Sequence, residues 1–184
     1  MAQPPRWLQA ARDQWRWRGQ ERPAFAVAPD AGQESVWDYP RPPAIAVDSR
    51  EVVIRWGERE VARTRQAVRV LETAHPPSFY LPWADVDRRV LHAAGGGSIC
   101  EWKGPARYWS LVDGERRVAN VAWSYPEPLA GAEVLADRVA FYAHALDCTV
   151  DGAKVRPQAG AFYGGWITPE LVGPFKGEPG SGAW

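Results

Sequence analysis

Residues 95–110, GGGSICEWKGPARYWS, bring several chemically reactive side chains into one short stretch. A run of glycines leads into Ser98, a cysteine follows at position 100, and a lysine follows at position 103. A Gly-Ser turn at the start of a helix could hold a phosphate through backbone N–H groups. A cysteine close to a lysine could act as a nucleophile. The elements that surround the segment must decide between these chemistries.

Nucleotidyl transfer would require the phosphate-binding turn together with a carboxylate pair that holds Mg²⁺. By residue type, Gly97-Ser98 and the pair Asp113 and Glu115 could take these roles. However, no helical pattern follows Ser98, and Asp113-Gly114 is typical of a type I′ hairpin turn because glycine readily adopts positive φ. Neither a GxxxxGK[ST] nor a GxGxxG motif occurs. We therefore expect a β-hairpin here and keep a nucleotidyltransferase-type enzyme as the alternative.

The alternation of side chains along a strand predicts where the reactive residues point. Cys100 and Trp102 should share one face of the strand, and Glu101 and Lys103 the other. We therefore expect Cys100 to be a thiol of the core. For Lys103 we expect either a solvated ion pair or a place in the wall of a polar pocket.

Metal-binding and cofactor-binding patterns are absent from the sequence. The chain has neither the Cys-x₂-Cys nor the His-x₃-His pairs of a zinc site, so we predict no metal site. His92 and His144 are isolated, and His75 stands before Pro76-Pro77, where we expect a turn at the surface. No motif identifies a cofactor.

The charges favour a local anion site over a nucleic-acid surface. The chain has 22 basic and 22 acidic residues, a balance that makes nucleic acid an unlikely partner. Arg65 and Arg69 lie four residues apart on a predicted helix, near Arg55 and Arg63 in sequence. A guanidinium cluster of this kind can bind an anion, and we take Arg65 as the main charge of such a site.

The hydropathy pattern bears on where the protein works. No apolar run approaches the roughly 18 residues of a membrane span, so no membrane partner is expected. The N-terminal segment lacks the uninterrupted apolar core of a signal peptide. With only two, widely separated cysteines, we expect a cytoplasmic protein.

The apolar patterns predict a mainly β fold, a β-rich α+β domain of small antiparallel sheets with two or three short helices. Strands are predicted at 44–48, 51–56, 60–64, 78–83, 98–102, 106–112, 116–125 and within 145–155. Helical patterns are predicted at 1–20, 65–73 and within 126–143. A second Asp-Gly turn is expected at 151–152.

Composition divides the chain into three parts. Residues 1–43 form a predicted N-terminal helix and a proline-rich arm, residues 44–150 form the β-rich domain, and residues 151–184 form a glycine- and aromatic-rich tail that wraps over the domain. The chain has eleven tryptophans, most of which we expect to fill the core. Some of them could line a ligand pocket.

Several segments resemble one bacterial family. They are AVRVLETAHPPSFYLPWADV, CEWKGPARYWSL, VAWSYPEPL and RVAFYAHALD, and the family is domain of unknown function 427, also labelled nucleotidyltransferase-like. The matching motif positions are Cys100, Lys103, Gly104, Ala106, Tyr108, Trp109, Ala122, Trp123, Tyr125, Pro126 and Pro128. The arm and the FYGGW-containing tail resemble a longer subgroup. The resemblance implies a small β-rich fold, with a β-tent-like arrangement as a candidate, and transfers no catalytic mechanism.

These observations lead to a leading hypothesis and two alternatives. We expect a domain that binds a small polar or anionic molecule in an aromatic-lined cleft. The predicted ligand-binding residues are Lys103, Tyr80, Tyr108, Trp123, Tyr125 and Arg65. The first alternative is the nucleotidyltransferase. The second is a protein-interaction module whose arm and tail dock another protein or a second copy, as a homodimer.

Overall fold

The computed structural model describes residues 5–160 and 162–184. Within these residues there is one α-helix, α1 (Arg6–Asp13), and the strands are β1 (Glu34–Ser35), β2 (Ala44–Asp48), β3 (Val52–Trp56), β4 (Arg59–Thr64), β5 (Ala67–Leu71), β6 (Ser78–Pro82), β7 (Leu91–Cys100), β8 (Gly104–Asp113), β9 (Arg116–Ser124), β10 (Arg138–Phe141), β11 (Asp147–Val150), β12 (Ala153–Lys154), β13 (Arg156–Pro157), β14 (Trp166–Ile167) and β15 (Leu171–Val172). Short 3₁₀ segments lie at Val36–Asp38, Trp83–Asp85, Arg88–Val90, Glu133–Leu135 and Ser181–Ala183. No helix in the described ranges has the length and apolarity needed to cross a bilayer.

Two antiparallel sheets dominate the fold, which confirms the mainly β prediction. The large sheet has seven strands in the order β2-β5-β6-β10-β9-β8-β7, and the small sheet has four in the order β12-β11-β3-β4. Two-residue ladders join β1 to β15 and β13 to β14. The hairpins β7–β8 and β8–β9 form one edge of the large sheet, so the segment around residues 95–110 lies at this edge.

The main core lies between the two sheets. Val52 and Ile54 of β3 face it from the small sheet, and Phe79 and Leu81 of β6 face it from the large sheet. Trp166 of the tail belongs to the same cluster and is fully buried. The tail is therefore part of the core packing of the β-rich domain.

The opposite face of the large sheet, which we call the cavity face, presents a row of side chains. Because strand residues alternate between faces, Tyr80 of β6 points away from the main core while its neighbours Phe79 and Leu81 point into it. The strand register continues the row from Tyr80 through Ala140 and Trp123 to Tyr108. The sheet thus places side chains from four strands next to one another.

The predicted helix at 65–73 is wrong, because its central residues, Ala67–Leu71, form β5. The apolar residues Ala67, Val68, Val70 and Leu71 fit a helical period as well as a buried strand. Strand β5 pairs with β2 on one side and β6 on the other, and its side chains are buried on both faces. A strand with two buried faces loses the alternation that would identify it in sequence.

The predicted turns are found where glycine allows positive φ. Strands β3 and β4 form the expected hairpin, Gly114 (φ 60°) closes the turn between β8 and β9, and Gly152 (φ 78°) closes the turn between β11 and β12. The helical pattern within 126–143 reduces to the 3₁₀ segment Glu133–Leu135 followed by β10. The helix predicted over 1–20 is limited to α1, and residues 1–4 lie outside the described part.

The arm and the tail contact each other and the sheets. Strands β1 and β15 pair in parallel, and Trp37 Nε1 donates a hydrogen bond to the Pro174 carbonyl at 2.9 Å. The Trp166 amide donates to the Pro77 carbonyl, and the Lys176 amide donates to the Ala74 carbonyl. These contacts bring residues of both termini to the cavity face.

Candidate functional site

A cavity of about 180 Å³ opens on the cavity face. Its lining residues are Trp15, Val70, Glu72, His75, Pro76, Ser78, Tyr80, Cys100, Glu101, Lys103, Tyr108, Trp123, Tyr142, Gln158, Phe162, Tyr163 and Gly164. The large sheet and its loops supply the floor, the arm contributes Trp15, and the tail contributes Gln158, Phe162, Tyr163 and Gly164. The site therefore combines three distant stretches of the chain.

The turn between β7 and β8 positions the lysine. Strand β7 ends at Cys100, which pairs with Gly104, and residues 101–103 form the turn. Gly104 has φ +99°, and a Cβ there would lie 3.3 Å from Leu129 N and Leu129 Cγ. The Leu129 amide donates to the Lys103 carbonyl at 3.0 Å. Backbone conformation and packing thus hold Lys103 at the cavity.

The expected alternation across residues 98–103 ends at Cys100, because the turn interrupts the strand. Cys100 and Lys103 both line the cavity and do not lie on opposite faces. Cys100 is not the fully buried core thiol that was expected: it packs against the apolar cluster around Tyr80 and Trp123, but it is only partly buried and also lines the cavity. Trp102 is buried, as predicted, but it lines a second, smaller cavity that also contacts Lys103.

Lys103 is a cation with few protein partners. Its side chain is 14% exposed, and its Nζ lies 3.8 Å from Glu72 Oε2 and 6.0 Å from the centroid of the Tyr125 ring. In the described part of the chain, no oxygen accepts a hydrogen bond from Nζ. Burial lowers the pKa of Lys103, but the nearby Cys100, Glu72 and Tyr80 outweigh it, so the pKa is raised and the lysine stays charged.

Glu72 is held as a carboxylate by surrounding positive charge. Arg41 Nη2 lies 3.1 Å from Glu72 Oε1, and the Arg41 guanidinium lies 3.9 Å above the Trp15 ring. Burial raises the pKa of Glu72, but the positive charges of Lys103 and Arg41 outweigh it and lower the pKa below its ordinary value. Arg41 therefore neutralises the Glu72 charge from outside the cavity, whereas Lys103 lines the cavity.

His75 is buried, so the prediction that it lies in a turn exposed at the surface is wrong. Gln158 Nε2 donates to His75 Nδ1 at 3.0 Å and to the Lys176 carbonyl at 2.8 Å, while Gln158 Oε1 accepts from the Gly165 amide. These contacts assign the proton of the neutral ring to Nε2. The pKa of His75 is lowered to about 4, mainly by burial. The positive charges of Arg41, Lys103 and Lys176 also lower it, whereas the negative charge of Glu72 raises it. The imidazole is therefore neutral at pH 7.

The hydroxyl groups of the aromatic residues complete the polar part of the lining. Trp123 Nε1 donates to Tyr80 Oη at 3.0 Å, and Ser98 Oγ and Tyr108 Oη share a hydrogen bond of 2.8 Å. Tyr80 is fully buried, and burial raises its pKa to about 12. Tyr80 thus stays protonated and can donate a hydrogen bond.

The structure brings together four of the six predicted ligand-binding residues, Lys103, Tyr80, Tyr108 and Trp123. Tyr125 packs against Tyr80 with ring centroids 6.3 Å apart and lies behind the lining. Arg65 is placed elsewhere, because residues 65–73 do not form a helix. Its side chain is 64% exposed at the turn between β4 and β5, and its Nη2 lies 3.9 Å from Glu51 Oε2.

Sequence reasoning missed several polar or aromatic residues of the cavity, among them Trp15, Glu72, His75 and Gln158. They come from the arm, from the loop after β5 and from the tail, and contact the site only through tertiary packing. One signal was available for His75, since the following Pro76-Pro77 fixes an extended backbone that turns it toward β6. No sequence pattern around Gln158 indicates that it reaches the cavity.

The carboxylates considered for nucleotidyl transfer do not reach the cavity. Asp113 ends β8 at the hairpin turn, and its Oδ2 accepts from Arg59 Nη1 at 2.9 Å. Neither Asp113 nor Glu115 lines the cavity. Among the described residues, no group of three or more His, Cys, Asp or Glu side chains is placed to hold a metal ion.

Comparison with known sequences identifies the family. No curated protein matches the chain. The sequence profile described as Domain of unknown function (DUF427) matches residues 44–152, which is more than half of the 184 residues. The matched region contains Tyr80, Cys100, Lys103, Tyr108 and Trp123, whereas Trp15 and the tail residues of the cavity lie outside it. The chain belongs to the DUF427 family.

Proposed function

We propose that the protein binds a small polar molecule with an anionic group in the cavity on the large sheet. The observation that carries the proposal is the placement of Lys103. Its ammonium group lines a cavity, and no oxygen in the described part of the chain accepts a hydrogen bond from it. A cation that is removed from bulk water in this way is stabilised by a ligand that supplies both charge and acceptors.

Two carboxylates, Glu72 and Glu101, line the cavity beside Lys103, and the charge of Glu72 is compensated by Arg41. Glu72, the ion-pair partner of Lys103, is also paired with Arg41, so its charge is shared between two cations. The imidazole of His75 is neutral, and the Tyr80 hydroxyl supplies a proton at the same wall of the cavity. A carboxylate or phosphate oxygen can therefore accept from Lys103 and Tyr80 together.

The aromatic wall favours a flat apolar part in the same ligand. Trp123 and Tyr142 lie with ring centroids 4.5 Å apart, and Tyr108 and Tyr163 extend the wall. Rings of this kind contact flat ligands over large areas, while a few polar groups orient them. The volume is below the roughly 300–1,000 Å³ of pockets for drug-sized ligands, so we expect a small molecule.

Isothermal titration calorimetry with simple probes tests the proposal. Benzoate, 4-hydroxybenzoate and phenyl phosphate carry an anionic group on one ring, and benzamide is the uncharged counterpart. We expect at least one anionic probe to bind, and we expect Lys103→Met to weaken that binding by about tenfold or more, the loss expected of a charge-assisted hydrogen bond.

Lys154→Met is the matched control, because Lys154 is 73% exposed and pairs with Asp147 at the surface. Its binding of the same probe should equal that of the wild type. Binding that survives Lys103→Met unchanged, equal binding of benzamide, or no heat with any anionic probe would each contradict the proposal.

A further inference from the structure

The cavity contains a free thiol beside the buried ammonium group. Cys100 ends β7 and Lys103 ends the turn that follows, and both line the cavity. The Cys100 Sγ donates to Glu101 Oε2 at 3.9 Å, and Glu101 Oε1 accepts from Trp15 Nε1 at 2.8 Å. The thiolate is the form of a cysteine that acts as a nucleophile.

A second observation points to a reacting group at the same place. Tyr80 is fully buried and lines the cavity. Its hydroxyl oxygen accepts from Trp123, but in the described ranges no group accepts the hydroxyl proton. Together with the ammonium of Lys103, the cavity therefore has two hydrogen-bond donors near Cys100 that lack an oxygen acceptor. Donors arranged around a nucleophile stabilise the negative oxygen that forms when a carbonyl is attacked.

We propose that Cys100 is the nucleophile of an acyl-transfer site, with Lys103 and Tyr80 as the donors to the oxyanion. The substrate class is a small activated acyl compound, an ester or a thioester. The Cys100 thiolate forms a bond to the acyl carbon, and the carbonyl π electrons move to the oxygen, which accepts from Lys103 and Tyr80. The C–O or C–S bond to the leaving group then breaks, and its electron pair departs as an alkoxide or thiolate.

The step balances without a further reactant, since the thiolate and the ester become a thioester and the leaving-group anion. Lys103 keeps its proton throughout, which agrees with its raised pKa, and acts as a cation and a donor. The inference goes beyond the proposed binding function. Acyl transfer to Cys100 does not require an anionic ligand. Its test is the formation of a covalent bond at the Cys100 sulfur, which a measurement of equilibrium binding does not detect.

The experiment uses p-nitrophenyl acetate as the acyl probe with the full-length protein. We expect a rapid release of about one equivalent of p-nitrophenolate per chain, the burst that accompanies acyl-enzyme formation. Peptide mass spectrometry should place the acetyl group on Cys100. Cys100→Ser should abolish the burst, and Cys148→Ser should keep it, because Cys148 is buried in the main core.

Tyr80→Phe separates the oxyanion role from a merely structural one. Acylation should slow by about 10²–10³-fold, the usual cost of removing one oxyanion donor. Alkylation of Cys100 by iodoacetamide displaces iodide without forming an oxyanion, so it should change by less than about twofold. Lys103→Met should slow both reactions by about tenfold or more, because it removes the cation beside the thiolate.

Several results would overturn the proposal. One is an acetyl group found on Cys148 or on a lysine, with none on Cys100, which the wild-type protein reveals even where a variant fails to fold. Another is acylation of Cys100 no faster in the folded chain than in urea. A third is an equal slowing of acylation and alkylation in Tyr80→Phe, which would mark a structural role.

Discussion

Gly164 of the tail lies directly against the indole ring of Trp123. A Cβ built on Gly164 would lie 2.1 Å from Trp123 Cη2 and 2.6 Å from Cζ3, well inside van der Waals contact. Trp123 also donates to the Tyr80 hydroxyl, so it joins the tail to the centre of the cavity face. The absence of a side chain at position 164 allows the tail to cover the cavity at this distance.

Gly164→Ala should therefore disturb both stability and the cavity. The new methyl group must displace the tail or the Trp123 ring, and we expect a loss of about 1–3 kcal/mol in the free energy of unfolding, as for other overpacked sites. Urea denaturation followed by tryptophan fluorescence measures it. Gly95→Ala is the control, because its Cβ meets nothing within 4 Å. A loss no larger than that of Gly95→Ala would mean that the tail does not press on Trp123.

Much of the fold could be predicted from local signals. The Asp-Gly pairs at 113–114 and 151–152 predicted two hairpin turns, because glycine accepts the positive φ that these turns require. Strand β5 could not be separated from a helix, since it lies inside the large sheet with both faces buried. That error also moved Arg65 into the predicted site, because its place there depended on a helix.

The candidate site was predictable only where its residues belong to one sheet or, like Lys103, to the turn between two of its strands. Tyr80, Trp123 and Tyr108 form a row across paired strands, so the alternation within each strand brings them together. Glu72 and Gln158 reach the cavity from separate loops, and no spacing rule connects them. Cys100 was misplaced for a specific reason, because the turn at 101–103 ends the alternation that had assigned it to the core.

The second prediction concerns the buried charge of Arg41. Its side chain is 1% exposed and contacts Glu72, the Thr73 carbonyl at 2.9 Å and the Trp17 carbonyl at 3.0 Å. Arg41→Met leaves the Glu72 carboxylate less compensated and two carbonyls unpaired. We expect the free energy of unfolding to fall by about 3–5 kcal/mol, the usual cost of removing one partner of a buried ion pair.

A double variant identifies the cause of that loss. Arg41→Met combined with Glu72→Gln removes the uncompensated charge and should recover part of the lost stability in urea denaturation. Arg22→Met is the surface control, since Arg22 pairs with Asp38 while both side chains are more than 40% exposed, and it should have little measurable effect. A single Arg41 variant as stable as the Arg22 variant would show that the Arg41–Glu72 pair contributes no net stability.

The third prediction concerns the buried imidazole of His75 and the pH dependence of stability. Burial and its hydrogen bond from Gln158 keep the ring neutral, and the pKa of His75 falls from 6.5 to about 4 in the folded chain. Between these two values the unfolded chain binds one more proton than the folded chain. The contribution of His75 to the free energy of unfolding should therefore be fully present above about pH 6.5. It should be lost as the pH falls toward 4, which lowers the free energy of unfolding by up to about 3 kcal/mol.

Urea denaturation of the wild type between about pH 7 and pH 5 measures this slope, above the range where most carboxylates titrate. His75→Gln keeps a polar side chain at the position but removes the titration, so its free energy of unfolding should vary less over the same interval, whatever its absolute value. His92→Gln is the control, because His92 is exposed on β7, and it should keep the wild-type slope. An unchanged slope in His75→Gln would show that His75 is not the group that weakens the fold at mildly acidic pH, and would contradict its assignment as a buried neutral imidazole.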